Sequence, residues 1–279
     1  MAIDNTLDAS SPSNPSNLPP RYQIRKLTPD HLIWASAIVA HSNMFHSTVF
    51  TKVYPDGKTA RFNHAMREMT YLVEHQIASG LSYGVFDLEF PYRHASSRSA
   101  GGAFLHDLSN DSATGEELIE AMDFPLVSVA LAYDGIDHLD MARMKPIMAA
   151  IPVFATVYGA LEARDPRGES WKAQERTEVL MRNATSTRAD YEKRGLMGKL
   201  ARFLMREAKL KGYKAINIEC LNDAVTHVWS HPKQEGMKGE VVCSFWTQEY
   251  EEEDEEGNKV NPFSPAEQLV TRCWTTLGN

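Results

Sequence analysis

Apolar residues along the chain recur with two periods, two and about 3.6, and the switches between them mark out strands and helices. Residues 22–27 alternate and predict a first strand. Thr28 and Pro29 follow as N-cap and first helical residue, opening a helix whose apolar face carries Leu32, Ile33, Ala37, Ile38 and Ala40. A turn at Pro55-Asp56-Gly57 precedes a second helix, about 59–78, that stops at Gly80. Residues 82–90 and 126–133 predict strands. Residues 139–161 predict helix interrupted at Pro146 and Pro152, leading into a polar linker, 162–176.

The second half of the chain is more sharply patterned. Residues 178–186 predict a strand, followed by a basic loop. Leu196, Met197, Leu200, Phe203, Leu204 and Ala208 then recur three and four apart, as one face of an amphipathic helix. Lys211-Gly212 ends it, and 215–221 predict a buried strand. Asn222-Asp223 opens another helix over 224–230, closed by His231-Pro232. Two last strands fall at 241–249 and 268–277. Between them the run 249–257 is too charged to pack, so 249–259 reads as a solvated hairpin extension; the alternative is an acidic docking patch for a basic partner. Residues 1–20, rich in Ser, Asn and Pro, predict a disordered tail.

Composition narrows the function. Of 279 residues 43% are hydrophobic, enough for a core. No apolar run approaches the roughly 18–20 residues that span a bilayer. The start of the chain lacks the basic and apolar regions of a signal peptide. Cys220, Cys243 and Cys273 are too scattered for a disulfide framework or a zinc site, which suits a reducing compartment, the cytoplasm or nucleus. His41, His46, His64 and His75 show no regular ligand spacing, so no metal is expected. A net charge of -8 argues against general nucleic-acid binding. Gly80-Leu81-Ser82-Tyr83-Gly84 matches a nucleophile elbow, but such an elbow needs a strand before the serine and a helix after it. The order here is reversed, and a helix-to-strand turn explains the match.

The candidate chemistry lies between the strand at 178–186 and the helix that follows. Lys193, Arg194 and Lys199 place positive charge where a helix start exposes free N–H groups. Gly195 and Gly198 let the backbone approach a ligand closely. This is the local chemistry of a pyrophosphate cradle. A P-loop is excluded, because only Leu196 and Met197 separate the glycines and Leu200 replaces the metal-binding hydroxyl. A dinucleotide fingerprint is excluded too, having three glycines near the start of its domain.

The stretch Glu192-Lys-Arg-Gly195-Leu-Met197, with Gly198 next, resembles motif A of the GNAT superfamily of CoA-dependent acyltransferases, written Gln/Arg-x-x-Gly-x-Gly/Ala. Two of the three marked positions depart from that consensus. The family's later signature, Asn-x-x-Ala-x-x-Leu-Tyr, is similar to the stretch from Asn222, with Val225, Val228 and Trp229 at the marked positions. The resemblance covers residues 178–232, and the rest of the chain by element order. The wider sequence also looks like a group of fungal GNAT-like proteins.

The resemblance implies an α/β fold: a mixed, mostly antiparallel sheet with splayed central strands, flanked by helices. It implies one enlarged domain over 21–279, with insertions at about 91–123 and 139–176. Both insertions read as flanking the acyl-acceptor site, the alternative being structural elaboration or a homodimer contact. It further implies direct transfer of an acetyl group from acetyl-CoA to a small amine or a peptide amine. A bulged strand would supply the N–H for the thioester oxygen, which by alignment falls at Thr185, Ser186 and Thr187, and its edge would pair with pantetheine. Lys193, Arg194, Gly195, Leu196, Met197, Gly198 and Lys199 would hold the diphosphate. Asn222 caps the next helix, with CoA contact a second role. For the base the candidates are Glu219, at the end of its strand, and Asp134. The family's acid is a tyrosine, yet the aligned residue is Trp229, which leaves water or Tyr191. The competing reading is a catalytically silent CoA-binding interaction module.

Overall fold

Eight strands form one mixed sheet in the computed structural model, which describes residues 17–278 and the backbone of Thr6 and Leu7. They are β1 (Thr6–Leu7), β2 (Tyr22–Lys26), β3 (Tyr83–Asp87), β4 (Leu126–Asp134), β5 (Val179–Thr187), β6 (Ala215–Cys220), β7 (Lys238–Trp246) and β8 (Leu269–Thr276). Their spatial order is β1-β2-β3-β4-β5-β6-β8-β7. Every neighbouring pair is antiparallel except β5 with β6. A parallel pair needs a crossover, and α6 (Leu196–Leu210) provides it. β4 and β6 are buried along their whole length, as expected of strands covered on both faces.

Helices cover both faces of the sheet. On one side lie α6 and α7 (Asp223–Ser230), with Leu200, Phe203, Leu204, Val228 and Trp229 buried against Leu180, Ile216 and Ile218. On the other lie α1 (Leu32–His41), α2 (Lys58–Glu68), α3 (Thr70–Ala78), α4 (Met141–Ala150) and α5 (Pro152–Arg164). The acidic run forms the expected hairpin, with Glu252–Glu253 paired to Lys259–Val260.

Several expectations need correction. The helix expected over 59–78 breaks at Met69 into α2 and α3. Pro146 sits inside α4 without ending it; the break comes at Ile151, and Pro152 starts α5. Ile33 is 56% exposed, so the buried face of α1 is carried by Ala35, Ala37, Ile38 and Ala40 instead. β3 stops at Asp87, whose carboxylate accepts from Arg21 Nη2 and Tyr191 Oη, both at 2.6 Å. β7 begins three residues early, and its Gly239 leaves room for the end of α7: a Cβ there would lie 2.4 Å from the Trp229 carbonyl oxygen. Of the tail expected over 1–20, residues 1–5 and 8–16 lie outside the described residues. Thr6–Leu7 pair with β2 and Leu18 is buried, so those positions are ordered by the sheet.

The two insertions differ in role. Residues 91–123 form two short helices, Ala95–Ala100 and Gly115–Ala121, and a short antiparallel pair, Ala103–Phe104 with Met122–Asp123, that back α1 and α2. Trp34 stacks on Phe124 at 5.0 Å, and Asn63 Nδ2 donates to Asn110 O and Asp111 Oδ1. None of these residues lines the main cleft, contrary to expectation. The second insertion, through α4 and α5, does line it.

Candidate active site

β5 and β6 part company in the middle of the sheet. Their parallel pairing runs from Val179 with Ala215 to Arg182 with Ile218 and goes no further. β5 continues along β4 and β6 along β8, and between them opens a cleft of about 540 Å³. A bulge begins the divergence: Ala132 faces Arg182 but Leu131 faces Ala184, which leaves Asn183 as the extra residue. The bulge therefore lies at Asn183, ahead of the 185–187 stretch expected to carry it. Thr185, Ser186 and Thr187 instead form the cleft-side edge of β5 beyond its pairing with β6.

Arg182 holds the bulge from behind. Its guanidinium donates to Leu131 O and Thr185 Oγ1, and to Ala184 O at 2.9 Å. Burial brings its pKa down to about 9, and the Trp229 ring faces it at 5.4 Å. Backbone carbonyls on both sides of the slip are thus satisfied by one side chain.

Past β5 the chain turns through Lys193 and Gly195, with φ of 60° and 73°. A Cβ on Gly195 would meet nothing within 4 Å, so glycine is needed there for its left-handed conformation alone. The ladder of α6 starts with Lys199 N–H donating to Gly195 O at 3.2 Å, and helix geometry leaves the amides before it without an intrahelical acceptor. Glu192, Lys193, Gly195, Leu196, Met197 and Gly198 line this end of the cleft. Two expected members of the basic set turn elsewhere. Arg194 donates to Tyr22 Oη at 3.0 Å and Asp190 O at 2.8 Å, and Lys199 Nζ donates to Asn17 O. Asn222 caps α7 as expected, its Oδ1 accepting from Ala224 N–H at 2.9 Å, and the residue borders the cleft.

Glu219, next to last in β6, lies inside the cleft with its side chain 3% exposed. Burial raises its pKa, against the attraction of Arg272 and a hydrogen bond from Asn217 Nδ2 at 2.9 Å. Arg272 Nε approaches Glu219 Oε1 to 3.3 Å, while Arg272 Nη1 also pairs with Glu162 and Asp165, each at 3.0 Å. Asp134, the other candidate base, lies outside the cleft. Its carboxylate is taken up by Ile136 N–H, Thr177 N–H and Tyr213 Oη, the last at 2.8 Å.

The two residues considered for acid chemistry are also occupied elsewhere. Trp229 is fully buried between α7 and the sheet. Tyr191 borders the cleft, but its hydroxyl donates to Asp87. Sequence reasoning missed Tyr158. It enters the cleft from α5, packs on Phe154 with ring centroids 4.8 Å apart, and its Oη accepts from Asn183 Nδ2 at 2.8 Å. Burial and the nearby Glu219 charge push its hydroxyl pKa well up. The signal available in sequence was only that 139–161 is helical and extra. The lining from the helical side of the cleft is mostly apolar, with Val39, Phe50, Leu72, Ile147, Phe154 and Val157, joined by Ser42, Asn43, His46 and Ser47. Ser82 of the elbow-like stretch is fully buried and donates to Gln76 O at 2.7 Å, which excludes it as a nucleophile. Among the described residues no cluster of His, Cys, Asp and Glu could hold a metal.

No family model matches the chain, and neither does any curated protein sequence. Solved structures do. The C-terminal condensation domain of Ebony, in complex with beta-alanyl-dopamine, is similar with a TM-score of 0.57 and 14% identity over 91% of this chain and 98% of that one. Arylalkylamine N-acetyltransferase 2 from Aedes aegypti gives 0.55 and 11%, over 92% and 99%. An agmatine N-acetyltransferase mutant gives 0.52 and 11%, over 91% and 98%. The fold is that of the GNAT acyltransferases. The GNAT fold accounts for the splayed strands and the crossover helix. At these identities the likeness reaches no further than the fold, and it does not single out a fungal group.

Proposed function

We propose that this chain binds acetyl-CoA along the open edge of β5 and transfers the acetyl group to a primary amine held on the mostly apolar helical side of the cleft. One observation carries the reading: a free strand edge, a left-handed turn into the N-terminus of a long helix, and a buried carboxylate all border one cavity. The residues present fit the cofactor. Unpaired amides before Lys199 suit a diphosphate, Lys193 adds positive charge, and the edge of Thr185, Ser186 and Thr187 suits the amides of pantetheine. The cofactor supplies an activated acetyl thioester; the protein places it and manages protons.

Glu219 is the base in this reading. Asn217 and Arg272 both contact Oε1, so Oε2 is the oxygen that an ammonium proton would reach. Agmatine and arylalkylamine N-acetyltransferases with this fold support an amine as acceptor. The mostly apolar helical side supports a monoamine with a hydrophobic body over a polyamine or a peptide, since a second cationic centre would find no carboxylate among the lining residues named above. A silent CoA-binding module is the second reading, favoured by the burial of Trp229 where the family has its tyrosine.

Calorimetry with acetyl-CoA, and CoA release with a panel of aromatic, aliphatic and polyamine acceptors, tests both. Binding together with turnover on hydrophobic monoamines supports the transferase. Binding without turnover on any amine supports the silent module, and no binding overturns both.

A further inference from the structure

We propose that Tyr158, contributed by the inserted helix α5, is the group that protonates the departing CoA sulfur. The inference rests on the acetyl-transfer reading and deepens it. Three features of the site converge on this residue. It borders the same cavity as the β5 edge and Glu219. Its Oη accepts a hydrogen bond from the side chain of Asn183, the bulge residue itself, at 2.8 Å. That bond uses an oxygen lone pair and leaves the phenol its own proton to give. The hydroxyl is therefore tied to the point where the strand edge turns, beside the place a thioester on that edge would occupy.

The other candidates are spent. Trp229 is fully buried and its indole is no acid at neutral pH, and the Tyr191 hydroxyl serves Asp87. Ser230 Oγ donates to Thr226 O at 2.7 Å within α7. His46 stands with Asn43 on the α1 side of the cleft, and no observation ties it to the bulge. Burial and the Glu219 charge keep the Tyr158 proton in place at neutral pH, so the hydroxyl enters the reaction as a donor.

The bookkeeping closes on these residues. The ammonium proton of the acceptor passes to Glu219. The amine lone pair forms the C–N bond to the acetyl carbon while the C–S bond breaks, and sulfur leaves with that electron pair. Sulfur takes the Tyr158 proton. The acylated nitrogen gives its surplus proton to the phenolate, Glu219 releases the first proton to solvent, and no oxidant or further reactant is needed.

Y158F keeps the ring packed on Phe154, so the expected variant is folded and binds acetyl-CoA with unchanged affinity. Its kcat with the best amine should fall roughly 100- to 1000-fold with KM values within about twofold, the range for losing one general acid. A second readout is independent of turnover: the thiol pKa of bound CoA, followed by thiolate absorbance, should be lower on the wild-type protein than on Y158F. Unchanged kcat in Y158F overturns the proposal, as does a rise in amine KM with kcat intact. Should the wild type acetylate no amine, the transferase reading fails by itself. The thiol comparison then decides Tyr158 separately, and equal pKa values in the two proteins overturn it.

Discussion

A carboxylate that must take a proton at neutral pH has to be buried enough to hold it and paired enough to stay in place. Glu219, the proposed base, meets both demands, with burial raising its pKa and Arg272 opposing the rise. Only the ionised form accepts a proton, so kcat/KM should rise with pH through a value above the usual carboxylate range of about 4.3. E219Q should lose that acid limb and roughly 100-fold or more in kcat/KM, while acetyl-CoA affinity, read by calorimetry, stays unchanged. Glu219 was legible in sequence because it lies near the end of an apolar strand. Asp134 ends another, and nothing in local pattern separates them. What separates them is which end of the sheet splays: the β6 end opens, whereas at Asp134 the carboxylate is consumed by Tyr213 and two backbone amides.

At the scale of elements, the turn into α6 is the most sensitive piece. Gly195 has space around it but a φ of 73°, so G195A costs backbone strain and no steric clash. An L-residue in that conformation loses roughly 1–2 kcal/mol. The expected result is a fall of that size in unfolding free energy, or about a tenfold weaker Kd for acetyl-CoA where the turn relaxes instead. Urea denaturation and calorimetry distinguish the two. A variant unchanged in both would show that the turn needs no glycine. The stripe of α6 could be read directly, since Leu196, Leu200, Phe203, Leu204 and Ala208 are all buried. F203A should therefore cost roughly 3–5 kcal/mol. The break at Met69 and the uninterrupted Pro146 were not legible, because packing of two helices on one sheet face sets where each must bend.

Across the whole molecule, acid stability should depend on His41, which lies outside the cleft. His41 is buried at the end of α1, stacked on Phe45 at 4.8 Å, with Nε2 held to Gly115 O at 2.9 Å. Burial lowers its pKa to about 4; the Gly115 carbonyl and Asp190 resist this, and His46 and Arg188 add to it. The unfolded chain thus binds the His41 proton more readily, and stability falls as pH drops from about 6.5 through about 4. Between pH 7.5 and 4.5 the loss should be on the order of 2–3 kcal/mol, read from urea midpoints. H41F should be less stable at neutral pH and show a shallower decline. An equal decline in both proteins would move the origin elsewhere. The same contact joins the 91–123 insertion to α1, which makes that insertion a brace.

Local patterning by itself determined the strands, the crossover helix, the turn before it and the position of Glu219, because those depend on side-chain period and backbone preference within some twenty residues. It also carried the resemblance from which a mixed, mostly antiparallel sheet with splayed central strands followed. Only the tertiary structure decided where β5 slips against β4, which basic side chains face away, and that Tyr158 from an inserted helix borders the cleft while Trp229 is buried. Each of these depends on long-range neighbours: a bulge exists only relative to the opposing strand, and a lysine's direction depends on which carbonyl lies within reach. Chemistry at a cleft between elements is set by residues far apart in the chain, and no local period records their meeting.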